Sequence, residues 1–179
     1  MPARDRIVGA VLVLAVLVAQ TYWMGPAIIF LSGGLIVSYA VWIAAPWKND
    51  AGAVLPIYLL AIAVQCLHFT EEYATGFQHQ FPRLFASDWS DMRFVMFNMF
   101  WLAAFVLAGW GVYRRISLAY LVVLFLALIG GVGNGLSHLI LSAMNRGYFP
   151  GVITAPFCLL MGILLLLRLF RRSLAVAAR

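Results

Sequence analysis

The sequence predicts an all-α membrane protein, a single domain over residues 1–179 built as a polytopic bundle of about six transmembrane helices. Three observations lead there. Of the 179 residues, 65% are hydrophobic and only 10% charged, with a mean hydropathy of +0.99, which is more apolar surface than a soluble domain of this length can bury. Apolar runs of about twenty residues follow one another without the regular polar positions that a solvated helix face needs. The basic residues, which leave a net charge of +6, sit between and beyond those runs. That pattern is membrane topology and speaks against a nucleic-acid partner.

The first run, residues 7–24, follows Arg4 and Arg6. It is long for a signal sequence and lacks a small-x-small cleavage site, so it reads as a span. Gly25-Pro26 breaks the helix, and a second run over 27–45 ends at Pro46-Trp47-Lys48-Asn49-Asp50. Further spans cover 53–73, 93–113, 117–144 and 152–170. With the amino terminus in the cytoplasm, alternation puts Arg4, Arg6, Lys48, Arg114, Arg115, Arg168, Arg171, Arg172 and Arg179 inside and leaves Arg83, Arg93 and Arg146 outside. Nine basic residues against three is the asymmetry of the positive-inside rule, and it predicts both termini in the cytoplasm. Trp23, Trp42, Trp47, Trp89, Trp110 and Tyr113, near span ends, read as interfacial anchors. The connection over 76–92, with Gln78, His79 and Pro82, reads as an ordered, partly interfacial outer loop, and His79 as a solvated residue of it. Cys66 and Cys158 lack the spacing of a zinc or thioredoxin motif, and Cys158 reads as packing.

The third span ends in His68-Phe69-Thr70-Glu71-Glu72. Helical geometry puts the carboxylates three and four residues after His68 on one face with it. They are the only acids within any span, and an ionised carboxylate near hydrocarbon costs kilocalories unless it has a partner. Late in the fifth span comes Gly130-Gly131-Val132-Gly133-Asn134-Gly135-Leu136-Ser137-His138. Asn134 and His138 share a face there, and the glycines let a neighbouring helix come close. Tyr148-Phe149-Pro150-Gly151 turns the chain into the sixth span at Thr154, and Asn98 lies in the first turns of the fourth. In a six-span topology all these groups fall in the outer part of the membrane.

His68-x-x-Glu71-Glu72, Asn134-x-x-x-His138 and Tyr148-x-Pro150-Gly151-x-x-Thr154 resemble the three signature motifs of the HXXEE-domain family of bacterial membrane proteins, matching without a departure and in order. The resemblance implies an enzyme without naming its substrate or reaction, and it makes the expected location a bacterial inner membrane.

On their chemistry, His68, Glu72 and His138 can supply three ligands to a divalent metal, zinc being the first candidate. That leaves an open position for water, with Glu71 beside it as general base. Asn134 or Thr154 can orient a ligand or polarise a carbonyl, and the Tyr148 hydroxyl is a candidate to reach the site. The expected reaction is metal-assisted hydrolysis of a lipid or other apolar small molecule, since such molecules reach a pocket at this depth from the bilayer. The same residues allow a metal-free acid–base isomerase or cyclase, or a non-catalytic network that fixes helix packing or binds a ligand or ion. Haem ligation by the two histidines is disfavoured by the adjacent carboxylates. Transport is disfavoured because the polar groups stop near one face.

Overall fold

The first apolar run folds as α1 (Ala3–Met24) and doubles back as α2 (Ile29–Ala44). The reversal is a short 3-10 turn, Gly25–Ile28, entered through Gly25 at a φ of 69°, a conformation that glycine adopts without a Cβ clash. Gln20 donates to the Ser32 hydroxyl at 2.8 Å and the Tyr39 hydroxyl to the Arg6 carbonyl at 3.0 Å, so the two helices run antiparallel. The computed structural model describes residues 2–45 and 50–177, with side chains to residue 170, and no strand occurs among them. The expected break at 46–49, with Trp47 and Lys48, lies outside the described residues, as do Arg179 and the side chains of Arg171 and Arg172.

The next helix, α3 (Ala51–Thr75), starts at Asp50, whose carboxylate accepts from the Ala53 amide at 3.2 Å, and stops at Gly76 in the left-handed conformation. A short helix, α4 (Phe77–Gln80), and a 3-10 turn, Pro82–Phe85, then lead to α5 (Asp91–Tyr113), capped by Ser90. The fifth apolar run is continuous from Ser117 to Met144 but changes pitch. It consists of α6 (Ser117–Phe125), a π-helical segment Leu126–Gly133, and α7 (Asn134–Met144). The last helix is α8 (Ala155–Ala177).

Among the described residues, four continuous helical stretches are long and apolar enough to cross a membrane: Ala3–Ala44, Ala51–Thr75, Asp91–Tyr113 and Ser117–Met144. Ala155–Phe170 is a shorter apolar helix. Because the first stretch is 42 residues and folds back on itself at Gly25, the bundle has the six expected helices. Their outward faces carry Ile7, Val11, Leu14, Phe30, Leu67, Leu107 and Phe157 in the open, as a bilayer-facing surface requires. Inside, α3, α5, α6 and α8 enclose Tyr58, Trp101, Phe105, Leu124 and Leu165, with Trp101 stacked on Phe125 at 4.3 Å between ring centroids.

The glycines of the fifth run do what their spacing suggests. A Cβ on Gly135 would lie 2.6 Å from the Cβ of Leu159, and one on Gly131 would run into the backbone of Gly162. Only bare backbone lets α7 lie against α8 this closely. The wide π turns there reset the phase of α7 relative to α6, and Gly131 and Gly135 face α8.

The two ends of the bundle differ in what they gather. Arg6, Tyr39, Trp42 and Ser117 gather at one end, where the Trp42 indole donates to the Ser117 carbonyl at 3.1 Å. The motif residues gather at the other, together with a buried hydrophobic cluster that includes Met24, Phe77, Phe81, Trp89, Phe94 and Phe149. Two of the expected anchors need correction. Trp42 and Trp89 are buried, 0% and 4% exposed, because each indole N–H finds a backbone carbonyl inside the fold, Ser117 and Met24 respectively. Trp23, Trp110 and Tyr113 are exposed, as anchors should be.

Candidate metal centre

The last turns of α3 carry His68 and Glu72 on the face turned toward α8 and the loop before it, and α7 brings His138 to meet them. All three side chains are buried, 0%, 4% and 1% exposed. The Nε2 atom of His68 lies 3.4 Å from Oε1 of Glu72, and that of His138 lies 3.2 Å from the same oxygen. The imidazole rings stand edge to face at 4.7 Å. One ligand atom from each residue falls within 4.8 Å of the other two, close enough to hold a metal ion.

The far sides of the two rings decide which nitrogen carries the proton. His138 Nδ1 lies 2.6 Å from the Pro150 carbonyl, which can only accept, so Nδ1 holds the hydrogen. His68 Nδ1 lies 2.7 Å from Thr154 Oγ1. The single Thr154 hydroxyl proton is directed 2.5 Å away to Oε2 of Glu71, so this oxygen accepts from His68. With Nδ1 of each ring donating outward, Nε2 is the nitrogen that each imidazole turns to the Glu72 carboxylate, and in the neutral form it carries a lone pair there. Two imidazole nitrogens and a carboxylate oxygen converge, and Nε2 of His68 finds no hydrogen-bond partner among the described residues. Acceptors behind ligating histidines are the usual outer support of a metal site.

Glu71 faces another way. Its Oε1 accepts from the Tyr148 hydroxyl at 2.8 Å and the Ile153 amide at 3.0 Å. Its Oε2 accepts from the Thr154 amide at 2.8 Å as well as from the Thr154 hydroxyl. Partial burial, together with the carboxylate it donates to, pushes the Tyr148 phenol above its ordinary pKa and keeps it a donor.

Of the seven residues expected at the site, six come together. His68, Glu72 and His138 form the centre, and Glu71, Tyr148 and Thr154 form a bonded group beside it. Asn134 stands apart. Its carbonyl accepts from the Ser137 hydroxyl at 3.0 Å, and its side chain makes no hydrogen bond among the described residues. His79 also stays outside, pairing with Asp91 at 3.1 Å on the surface.

Four participants escape a reading based on side-chain chemistry. The Pro150 carbonyl fixes the His138 tautomer, Gly151 leaves room for both rings, and Phe77 and Phe149 roof the centre at 5.2 and 6.0 Å from the His138 ring. The Pro-Gly pair signals the turn, but nothing in it signals what the turn touches.

The fold and the site define an all-α, multi-pass membrane protein with a buried His/Glu centre at one end of its bundle. A family described as a protein of unknown function with HXXEE motif matches residues 59–166, more than half of the chain. The protein belongs to this family. No curated protein and no solved structure matches the chain.

Proposed function

We propose that the protein is a membrane-embedded, metal-dependent enzyme in which His68, Glu72 and His138 hold a divalent cation, zinc first among candidates. The observation that carries this reading is the convergence of two imidazole Nε2 atoms and a carboxylate oxygen, all buried. With both imidazoles neutral and no cation, such a cluster would be costly, because buried acceptors would face one another without a donor. Two histidines and a carboxylate suit zinc and leave a coordination position open. A cation there supplies the acidity that activates water and polarises a carbonyl.

The residues around the centre fit a hydrolase acting on a lipid or other apolar molecule. Phe77 and Phe149 exclude bulk water, and the half-exposed Tyr148 stands at the rim. The bundle's flanks are apolar, so a substrate dissolved in the bilayer meets no polar barrier on its way there.

The test is elemental analysis of the detergent-purified chain together with its melting. About one equivalent of a divalent metal is expected, and a chelator should lower the melting temperature because bound metal stabilises the fold by linkage. A metal-free protein whose melting ignores chelators would shift the assignment to acid–base chemistry without metal.

We also propose that the centre faces outward from a bacterial plasma membrane with both termini in the cytoplasm, on the strength of nine basic residues against three. After replacement of Cys66 and Cys158, a cysteine at position 87 should react with an impermeant thiol reagent on intact cells, and one at 117 should react only in broken cells. The reverse pattern would put the centre on the cytoplasmic side.

A further inference from the structure

Resting on the metal reading, we propose that Glu71 is a positioning residue, not the general base its place beside Glu72 suggests. Acting through Thr154, it fixes the tautomer of His68 and holds the 148–154 segment against both imidazoles.

A carboxylate offers about four lone-pair sites, and Glu71 fills them with four donors, two on each oxygen. A base needs a free lone pair within reach of the proton it takes. Glu71 keeps none free, and all its donors come from one stretch of chain. Two of them, the amides of Ile153 and Thr154, precede the first turn of α8, where unpaired N–H groups and the helix dipole favour a negative partner.

That stretch carries the hydrogen-bond partners of both Nδ1 atoms. Pro150 gives the acceptor for His138, Thr154 the acceptor for His68, and Gly151 lies directly over both rings. The link to His68 is chemically specific. Because the Thr154 proton goes to Glu71, Thr154 must accept from Nδ1–H and leave the Nε2 lone pair to the centre. Without the carboxylate, the hydroxyl is free to donate to Nδ1, which moves the imidazole proton to Nε2 and removes a ligand.

Glu71→Gln keeps the shape and breaks the grip. With its NH2 at the Oε2 position, the amide faces the Thr154 N–H and the Thr154 hydroxyl loses its acceptor. Turned the other way, the NH2 faces the Ile153 N–H, which cannot reorient to accept, and that clash drives the first orientation or loosens the segment.

The experiment uses the full chain in detergent loaded with Co2+, whose visible absorption reports ligand number and geometry. Glu71→Gln and Thr154→Val should each weaken Co2+ binding by roughly 10- to 100-fold, as loss of outer support for a ligating histidine does, and should produce the same altered spectrum. The double variant should be no worse than the weaker single one, because both act along one path. Thr154→Ser, which restores the hydroxyl, should recover the wild-type spectrum. A Glu71→Gln protein with wild-type affinity and spectrum would overturn the proposal, as would losses that multiply in the double variant. If Glu71→Gln does not fold, the Thr154 pair decides, and a wild-type spectrum in Thr154→Val rejects the relay. Wild-type protein that takes up no Co2+ would instead overturn the metal reading beneath it, an outcome seen before any variant is compared.

Discussion

Gly151→Ala should abolish metal binding and cost several kilocalories of stability, whereas Gly76→Ala should cost only the backbone strain. Both glycines hold positive φ, 90° and 86°, where a Cβ is unfavourable by roughly 1–2 kcal/mol. Around Gly76 nothing lies within 4 Å of the added carbon. At Gly151 the same carbon would sit 2.6 Å from Nδ1 of His138 and 3.0 Å from Cε1 of His68. Neither ring can retreat: one is held by the Pro150 carbonyl, the other by Thr154, and both are closed in by the fold. Overpacking of this kind adds roughly 1–3 kcal/mol, and here it acts directly on two ligands. Calorimetry or chemical denaturation of the two variants without metal would separate strain from steric cost, and metal titration would show the second difference. A Gly151→Ala protein that binds metal like wild type would mean that the loop does not pack on the imidazoles.

Helix positions were legible in the sequence because hydropathy and helix breakers decide them. The expected spans at 53–73, 93–113 and 117–144 became Ala51–Thr75, Asp91–Tyr113 and Ser117–Met144, with ends set by Gly76, Ser90 and the turn at Arg114-Arg115. The π-helical turns at Leu126–Gly133 were not legible, since an apolar stretch rich in glycine looks the same in either pitch. The burial of Trp42 and Trp89 was hidden for a related reason. A tryptophan near a span end prefers the interface by default, and only the tertiary fold supplies a carbonyl that draws it inside.

The site was legible in its membership and less so in its division of labour. Residues three and four apart are both neighbours of His68, yet at about 100° per residue they lie about 60° to one side and 40° to the other. That angle sends Glu72 toward His138 and Glu71 toward the segment before α8, so two adjacent carboxylates enter different hydrogen-bond networks. The same geometry explains Asn134. It shares a face with His138 but lies about 6 Å further along the axis, a full turn from the centre. The tautomers could not be read at all from side-chain patterns, because one depends on a backbone carbonyl and the other on the direction of a hydroxyl proton.

Glu72→Gln should make the metal-free protein more stable and leave it indifferent to metal, so that its melting curve crosses that of wild type as metal is added. In the wild type without a cation and with both imidazoles neutral, the carboxylate and two imidazole lone pairs would face one another in a buried cluster. A glutamine of the same shape brings an NH2 group to that point. It can donate to Nε2 of His68 or His138, which are 3.4 and 3.2 Å from the present oxygen. Supplying a donor to a buried acceptor and removing a buried charge should together be worth roughly 1–3 kcal/mol. Metal reverses the order. At a free concentration 100 times the dissociation constant, the wild type gains about 2.7 kcal/mol by linkage, and the variant, lacking the anionic ligand, should gain almost none. A purely structural hydrogen-bond network predicts neither half of this result. In such a network Glu72 is an acceptor with donors around it, so its amide should destabilise the protein in every condition, and added metal should move neither melting curve.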